Sequence, residues 1–202
     1  MSSDATQFAQ RYLDRLRDVL SEVDPGRIAA LIDQLLATRE AGGTVYVCGN
    51  GGSSATAQHL ASDLLITVRS RERPFRAICL SDNVAAFSAV ANDYGYESVF
   101  SLPLTGRIGR SDLLVVISAS GNSPNILAAL RAAHAAGAAT CALLGFDGGA
   151  ARDLADVVVH VPTALGEYGP AEDLHAVVKH IVAAYLTARL ADAEDPRAPE
   201  GS

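Results

Sequence analysis

Two stretches of the chain combine glycine, serine and asparagine in a way that suits an anionic ligand: Gly49-Asn-Gly-Gly-Ser-Ser54 and Ser118-Ala-Ser-Gly-Asn-Ser123. In the first, Gly51 and Gly52 let the backbone turn tightly and present its N–H groups, Asn50 flanks them, and Ser53 and Ser54 add hydroxyls where a helix would begin. The positive end of such a helix favours negative charge. The second stretch carries hydroxyls on Ser118, Ser120 and Ser123 with Ala119 between them, and Ser123-Pro124 has the order of an N-cap followed by a first helical residue. One such loop is as readily a self-capped turn; two in one chain point to phosphate. Neither fits a nucleotide motif, because a dinucleotide fingerprint needs glycine where Ser54 stands and a P-loop needs Gly-Lys-Ser/Thr.

A few residues beyond the first loop, His59 and Asp63 stand four apart on a predicted helix. They share a face and can bind one metal ion, although the same spacing is also that of a surface hydrogen bond. Cys48, Cys79 and Cys141 fall in apolar, strand-like runs without metal spacing and read as buried, reduced thiols.

These residues need a scaffold, and the hydropathy pattern supplies one. Residues 4 to about 41 have apolar positions at helical spacing, broken at Asp24-Pro25-Gly26, which predicts a helical hairpin. Short apolar runs then alternate with helical patterns: strands at 44–48, 76–80, 112–117, 140–144 and 157–161, helices near 53–68, 83–92, 123–137, 149–154 and 169–191. The expected architecture is α/β: a doubly wound, flavodoxin-like sheet of five parallel strands with helices on both faces. In such folds ligands sit beyond the carboxyl ends of the strands where the strand order reverses, and both serine loops directly follow a strand. Residues 1–193 are expected to form one domain, and the Pro- and charge-rich stretch 194–202 a disordered tail.

The 202 residues carry a net charge of −7, with no dense basic run, which argues against nucleic acid as a partner. No apolar run approaches the roughly 20 residues of a membrane helix. The polar start Met1-Ser-Ser-Asp4 lacks a secretory pattern, so the expected location is the cytoplasm.

The chain resembles the sugar isomerase (SIS) domain family, and within it the phosphoheptose isomerases, over about residues 5–190. The resemblance is carried by Cys48-Gly-Asn-Gly-Gly-Ser53, Ala57-Gln-His59, Ala91-Asn-Asp-Tyr-Gly95, Ile117-Ser-Ala-Ser-Gly-Asn-Ser-Pro124, Gly145 to Gly149, and Glu172-Asp-Leu-His175 with His180. It implies isomerisation of sedoheptulose 7-phosphate to a heptose 7-phosphate, for activated-heptose or related synthesis, in a homotetramer with interfacial active sites. It further implies phosphate bound by Ser53 and the Ser118–Ser123 loop, and one zinc ion per subunit held by His59, Asp63, Glu172 and His180. Asp63 would be the base and His180 the acid or second base, passing a proton between C1 and C2. The family has Glu and Gln where this chain has Asp63 and Glu172, and commonly Thr at Ala119. Asn92 and Asp93 would meet sugar hydroxyls, or simply end a helix. His175, three residues after Glu172, is a rival ligand, and Lys179 reads as a solvated or phosphate-facing charge. The alternatives are an isomerase of another sugar phosphate and a non-catalytic phosphosugar-binding or protein-interaction module.

Overall fold

The computed structural model describes residues 2–68 and 73–194. The expected tail therefore lies, apart from Glu194, outside the described residues. Helices α1 (Ser2–Glu22) and α2 (Pro25–Glu40) form the expected hairpin. Its break is built as the sequence suggests: the Asp24 carboxylate accepts the Gly26 N–H at 2.8 Å, and Pro25 takes the first helical position, where a missing N–H does no harm.

Five strands follow, β1 (Thr44–Gly49), β2 (Arg76–Cys79), β3 (Leu113–Ser118), β4 (Ala139–Leu144) and β5 (Val157–His160). All are parallel, in the order β2-β1-β3-β4-β5. Their alternation divides the core into two layers. Val45, Val47, Leu113, Val115 and Leu143 face α2, α3 (Gly52–Ser62) and α8 (Tyr168–Glu194). Tyr46, Cys48, Leu114, Val116 and Leu144 face the opposite side, against α5 (Ser101–Leu104) and α6 (Pro124–Ala135). Every residue of β3 is buried, which is why it reads as an unbroken apolar run.

Three features depart from the expected pattern. Helix α3 does not run evenly to residue 68: at Asp63 it widens into a π-helical turn, Asp63–Thr67, closed by the Val68 N–H on the Asp63 carbonyl at 2.8 Å. The link between α4 (Val84–Tyr94) and β3 contains a 3-10 turn, Tyr96–Ser98, and the short α5, both too brief to show periodicity. Before β5, α7 (Ala151–Leu154) is a single turn. Helix α4 itself is apolar yet has no buried residue, and Ile78 on the edge strand β2 is 48% exposed.

Candidate active site

The strand order reverses between β1 and β3, and the two serine loops leave the carboxyl ends of those two strands. They meet around a cavity of about 130 Å³ whose wall includes Asn50, Ser53, Ser118, Ala119, Ser120 and Ser123, closed on the α8 side by Tyr168 and Glu172. An asparagine pair joins them: the Asn50 amide donates to Asn125 Oδ1 at 3.0 Å, and the Asn125 amide donates to Asn50 Oδ1 at 2.8 Å. The Tyr96 hydroxyl donates to the same Asn50 oxygen at 2.9 Å.

Each hydroxyl has a distinct position. Ser118 Oγ accepts the Gly121 N–H at 3.1 Å and Ser120 Oγ accepts the Asn122 N–H at 3.3 Å, so both shape the turn yet keep a proton to donate into the cavity. Ser123 is the N-cap of α6 by position, but its side chain makes no capping hydrogen bond. Ser53 is buried at the first turn of α3, where the Ser54 and Ala55 N–H groups bond the Asn50 and Gly51 carbonyls and the N–H groups of Gly52 and Ser53 precede the first intrahelical bond. Ser54, expected in the pocket, turns away and shares a hydrogen bond with Ser81 at 2.8 Å.

Gly121 shows why the second loop has no alternative residue there. Its φ is +61°, and a Cβ would lie 1.9 Å from the Gly148 carbonyl oxygen. The loop after β4 thus braces the loop after β3, helped by the Ala151 N–H on the Gly121 carbonyl at 2.9 Å and the Ala150 N–H on the Asn122 side chain at 2.9 Å.

Farther along α3 and α8, the ligand atoms of His59, Asp63 and His180 lie within 4.8 Å of one another. His59 Nε2 is 3.6 Å from Asp63 Oδ1, and the two imidazoles meet edge to face with centroids 5.2 Å apart. Two imidazoles and a carboxylate facing one point are a donor set that fits a borderline cation such as zinc, with room left for further ligands. The fourth expected ligand, Glu172, is outside this group, because it sits two helical turns before His180 in α8. Its carboxylate instead lies over the start of α3, where a Cβ on Gly52 would come within 2.1 Å of Oε2. The structure brings together three of the four.

Asp63 is held from two sides. Thr67, one turn on through the π-helical widening, donates to Oδ1 at 3.2 Å, and Lys179 donates to Oδ2 at 3.3 Å. Lys179 is therefore neither solvated nor phosphate-facing: its side chain is only 1% exposed, with the Asp63 carboxylate beside it. Burial lowers its pKa, and Asp63 opposes that shift.

The rival ligand His175 is fully buried, with no hydrogen bond at either ring nitrogen among the described residues. Desolvation lowers its pKa to about 4; the Leu144 carbonyl opposes the shift without reaching ordinary hydrogen-bond geometry, and His160 adds to it. Asn92 and Asp93 are exposed at the end of α4, bonded to each other at 2.8 Å, and take no part in the cavity wall. Asn125, Tyr168, Thr67 and the role of Lys179 were not legible as site features. Only Asn125 gave a signal, by its place two residues after Ser123.

The fold and these two clusters define a class, doubly wound α/β domains with a serine-lined cavity at the strand-order reversal, and similarity to known proteins narrows it. The SIS domain family model matches residues 8–145. The phosphoheptose isomerase of Chlorobaculum parvum is 45% identical over 174 residues, 85% of this chain and 82% of that protein. The phosphoheptose isomerase of Helicobacter pylori is 38% identical over 148 residues, 73% of this chain and 76% of that one. Among solved structures, a phosphoheptose isomerase from Francisella tularensis superposes with a TM-score of 0.84 at 30% identity, over 93% of this chain and 99% of the other. The chain belongs to the SIS domain family and, within it, to the phosphoheptose isomerases.

Proposed function

We propose that the protein is an aldose–ketose isomerase converting sedoheptulose 7-phosphate to D-glycero-D-manno-heptose 7-phosphate through an enediol. The observation that carries this reading is that the serine-lined cavity and the His59–Asp63–His180 group share two helices. Ser53 and His59 are six residues apart on α3, an axial rise of about 9 Å. A sugar phosphate anchored at the loops would extend along α3 and bring its C1–C2 end to the imidazoles and the carboxylate.

In this reading the phosphate takes hydrogen bonds from Ser53, Ser118, Ser120 and Ser123 and from the leading N–H groups of α3. Asp63 removes the proton from C1, and His180 serves as acid or second base for the transfer to C2. Thr67 and Lys179 hold the Asp63 carboxylate in one orientation, which limits the reorganisation the proton transfer requires. Zinc at His59, Asp63 and His180 would supply Lewis acidity to the developing enolate oxygen. Glu172, at the edge of the serine-lined cavity, would meet hydroxyls of the sugar chain or join a widened metal shell.

A homotetramer with interfacial sites accounts for surface that one chain leaves uncovered. Helix α4 buries no residue, and Phe8 (64% exposed), Ile181 (43%) and Tyr185 (48%) add apolar area on α1 and α8. Buried free thiols at Cys48, Cys79 and Cys141 suit the reducing cytoplasm. Among the described residues no helix is long and apolar enough to cross a membrane. Residues 1–193 would act as one SIS domain.

The test is metal analysis of the purified protein followed by incubation with sedoheptulose 7-phosphate and with pentose and hexose phosphates. An aldose heptose phosphate product supports the reading. Bound zinc with no conversion of any ketose phosphate would sink it and leave a phosphosugar-binding module. A His180→Ala variant with full activity would remove the proton-transfer role.

A further inference from the structure

We propose that Lys179 sets the metal affinity of the His59–Asp63–His180 group by retaining one oxygen of the Asp63 carboxylate and placing a positive charge behind it. The inference rests on the reading of that group as a metal site. The two oxygens of Asp63 have different neighbours: Oδ1 faces His59 Nε2 at 3.6 Å and accepts Thr67, whereas Oδ2 accepts only the Lys179 ammonium, at 3.3 Å, among the described residues.

The asymmetry restricts what a cation can do there. A metal ion approaching the two imidazoles reaches Oδ1, but bidentate capture would require displacing a buried ammonium from Oδ2. That displacement is unfavourable because the Lys179 side chain is 1% exposed and Asp63 is its hydrogen-bond partner. Even when it stays in place, the ammonium repels the incoming ion across one carboxylate, in surroundings less screened than water. Lys179 also compensates the Asp63 charge, itself on a side chain 11% exposed, when no metal is bound. The same pair therefore weakens metal binding and lets the metal-free site persist.

The experiment uses the full chain, stripped with a chelator and titrated with zinc in competition with a chromophoric chelator. Lys179→Met removes the charge and keeps a long apolar stem; Lys179→Arg keeps the charge. The Met variant should bind zinc at least about tenfold more tightly than the natural chain, and the Arg variant should stay within about threefold of it. Circular dichroism and thermal melting establish that each variant is folded, and Lys179→Gln carries the same test if the Met variant is not. A folded uncharged variant whose zinc affinity is unchanged or weaker overturns the proposal, while tight zinc binding to the natural chain in that case leaves the metal reading standing. If Asp63→Asn binds zinc as tightly as the natural chain, the ion does not use Asp63, and the metal reading and the proposal fall together.

Discussion

Asn50 and Asn125 face each other across the strand-order reversal and exchange two side-chain hydrogen bonds, at 3.0 and 2.8 Å. One belongs to the loop after β1 and the other to the first turn of α6, so this closed amide pair fixes the distance between the two halves of the serine-lined cavity. Asn125 Oδ1 also accepts the Ile126 N–H at 3.0 Å, which orients the amide before any ligand arrives.

Asn125→Ala leaves the Asn50 amide without its reciprocal partner in a partly buried position. The expected loss is about 1–3 kcal/mol of unfolding free energy. Weaker competition by inorganic phosphate should accompany it. Urea unfolding and inhibition measurements on the same preparation check both; full phosphate affinity would show that the loops hold their spacing without the pair.

Ser123→Ala separates capping from ligand binding. Because the Ser123 hydroxyl makes no capping bond, its loss should change stability by less than about 0.5 kcal/mol. A hydroxyl that donates to a dianion contributes more, so KM for the phosphorylated substrate should rise roughly tenfold with kcat little changed. A destabilised variant with unchanged KM would reverse the assignment.

His175 predicts an acid limb in the stability curve. Its ordinary pKa of 6.5 is lowered to about 4 by burial, so the unfolded chain takes up the proton first. Stability from this group is complete above pH 6.5 and is lost as pH falls towards 4, by up to about 3 kcal/mol. His175→Leu should flatten that limb in urea titrations at pH 4, 5, 6 and 7. An unaltered pH dependence would mean that His175 is not buried as a neutral imidazole.

The three thiols should resist modification in the native protein. Burial raises the pKa of Cys48 and Cys79 and pushes Cys141 up to about 12, so little thiolate exists at neutral pH. A thiol-reactive chromophore should label none of them until denaturant is added, and three afterwards. Rapid native labelling of Cys48 would overturn its reading as a buried strand residue.

The helical hairpin, the five strands and the placement of the loops were legible because they follow from local signals: apolar runs of strand length, glycine after β1 and β3, and the Asp24-Pro25 cap. The order β2-β1-β3-β4-β5 comes from pairing between distant segments. The His59–Asp63 relation was legible as well, since i,i+4 spacing on a helix settles it. What was missed depended on contacts between elements far apart in sequence. Lys179 looks like a surface charge beside His180 until α8 is packed on α3, and only then does Asp63, 116 residues away, become its partner. Ser54 is the reverse case, a loop hydroxyl whose partner, Ser81, comes from the neighbouring strand's end. Glu172 was assigned to the metal group by resemblance, and the rise of α8 sets its carboxylate at the serine-lined cavity, outside the His59–Asp63–His180 group.

That α3 presents both the cavity and the histidine group has a consequence for how sugar length is discriminated. A helix offers side chains only at fixed axial steps of about 1.5 Å, each turned about 100° from the last, so the gap between Ser53 and His59 is set by a whole number of residues rather than continuously adjustable. In the proposed reading, discrimination by sugar length then falls to side chains outside that helix. Glu172 of α8, whose carboxylate overhangs the start of α3, would be one of them.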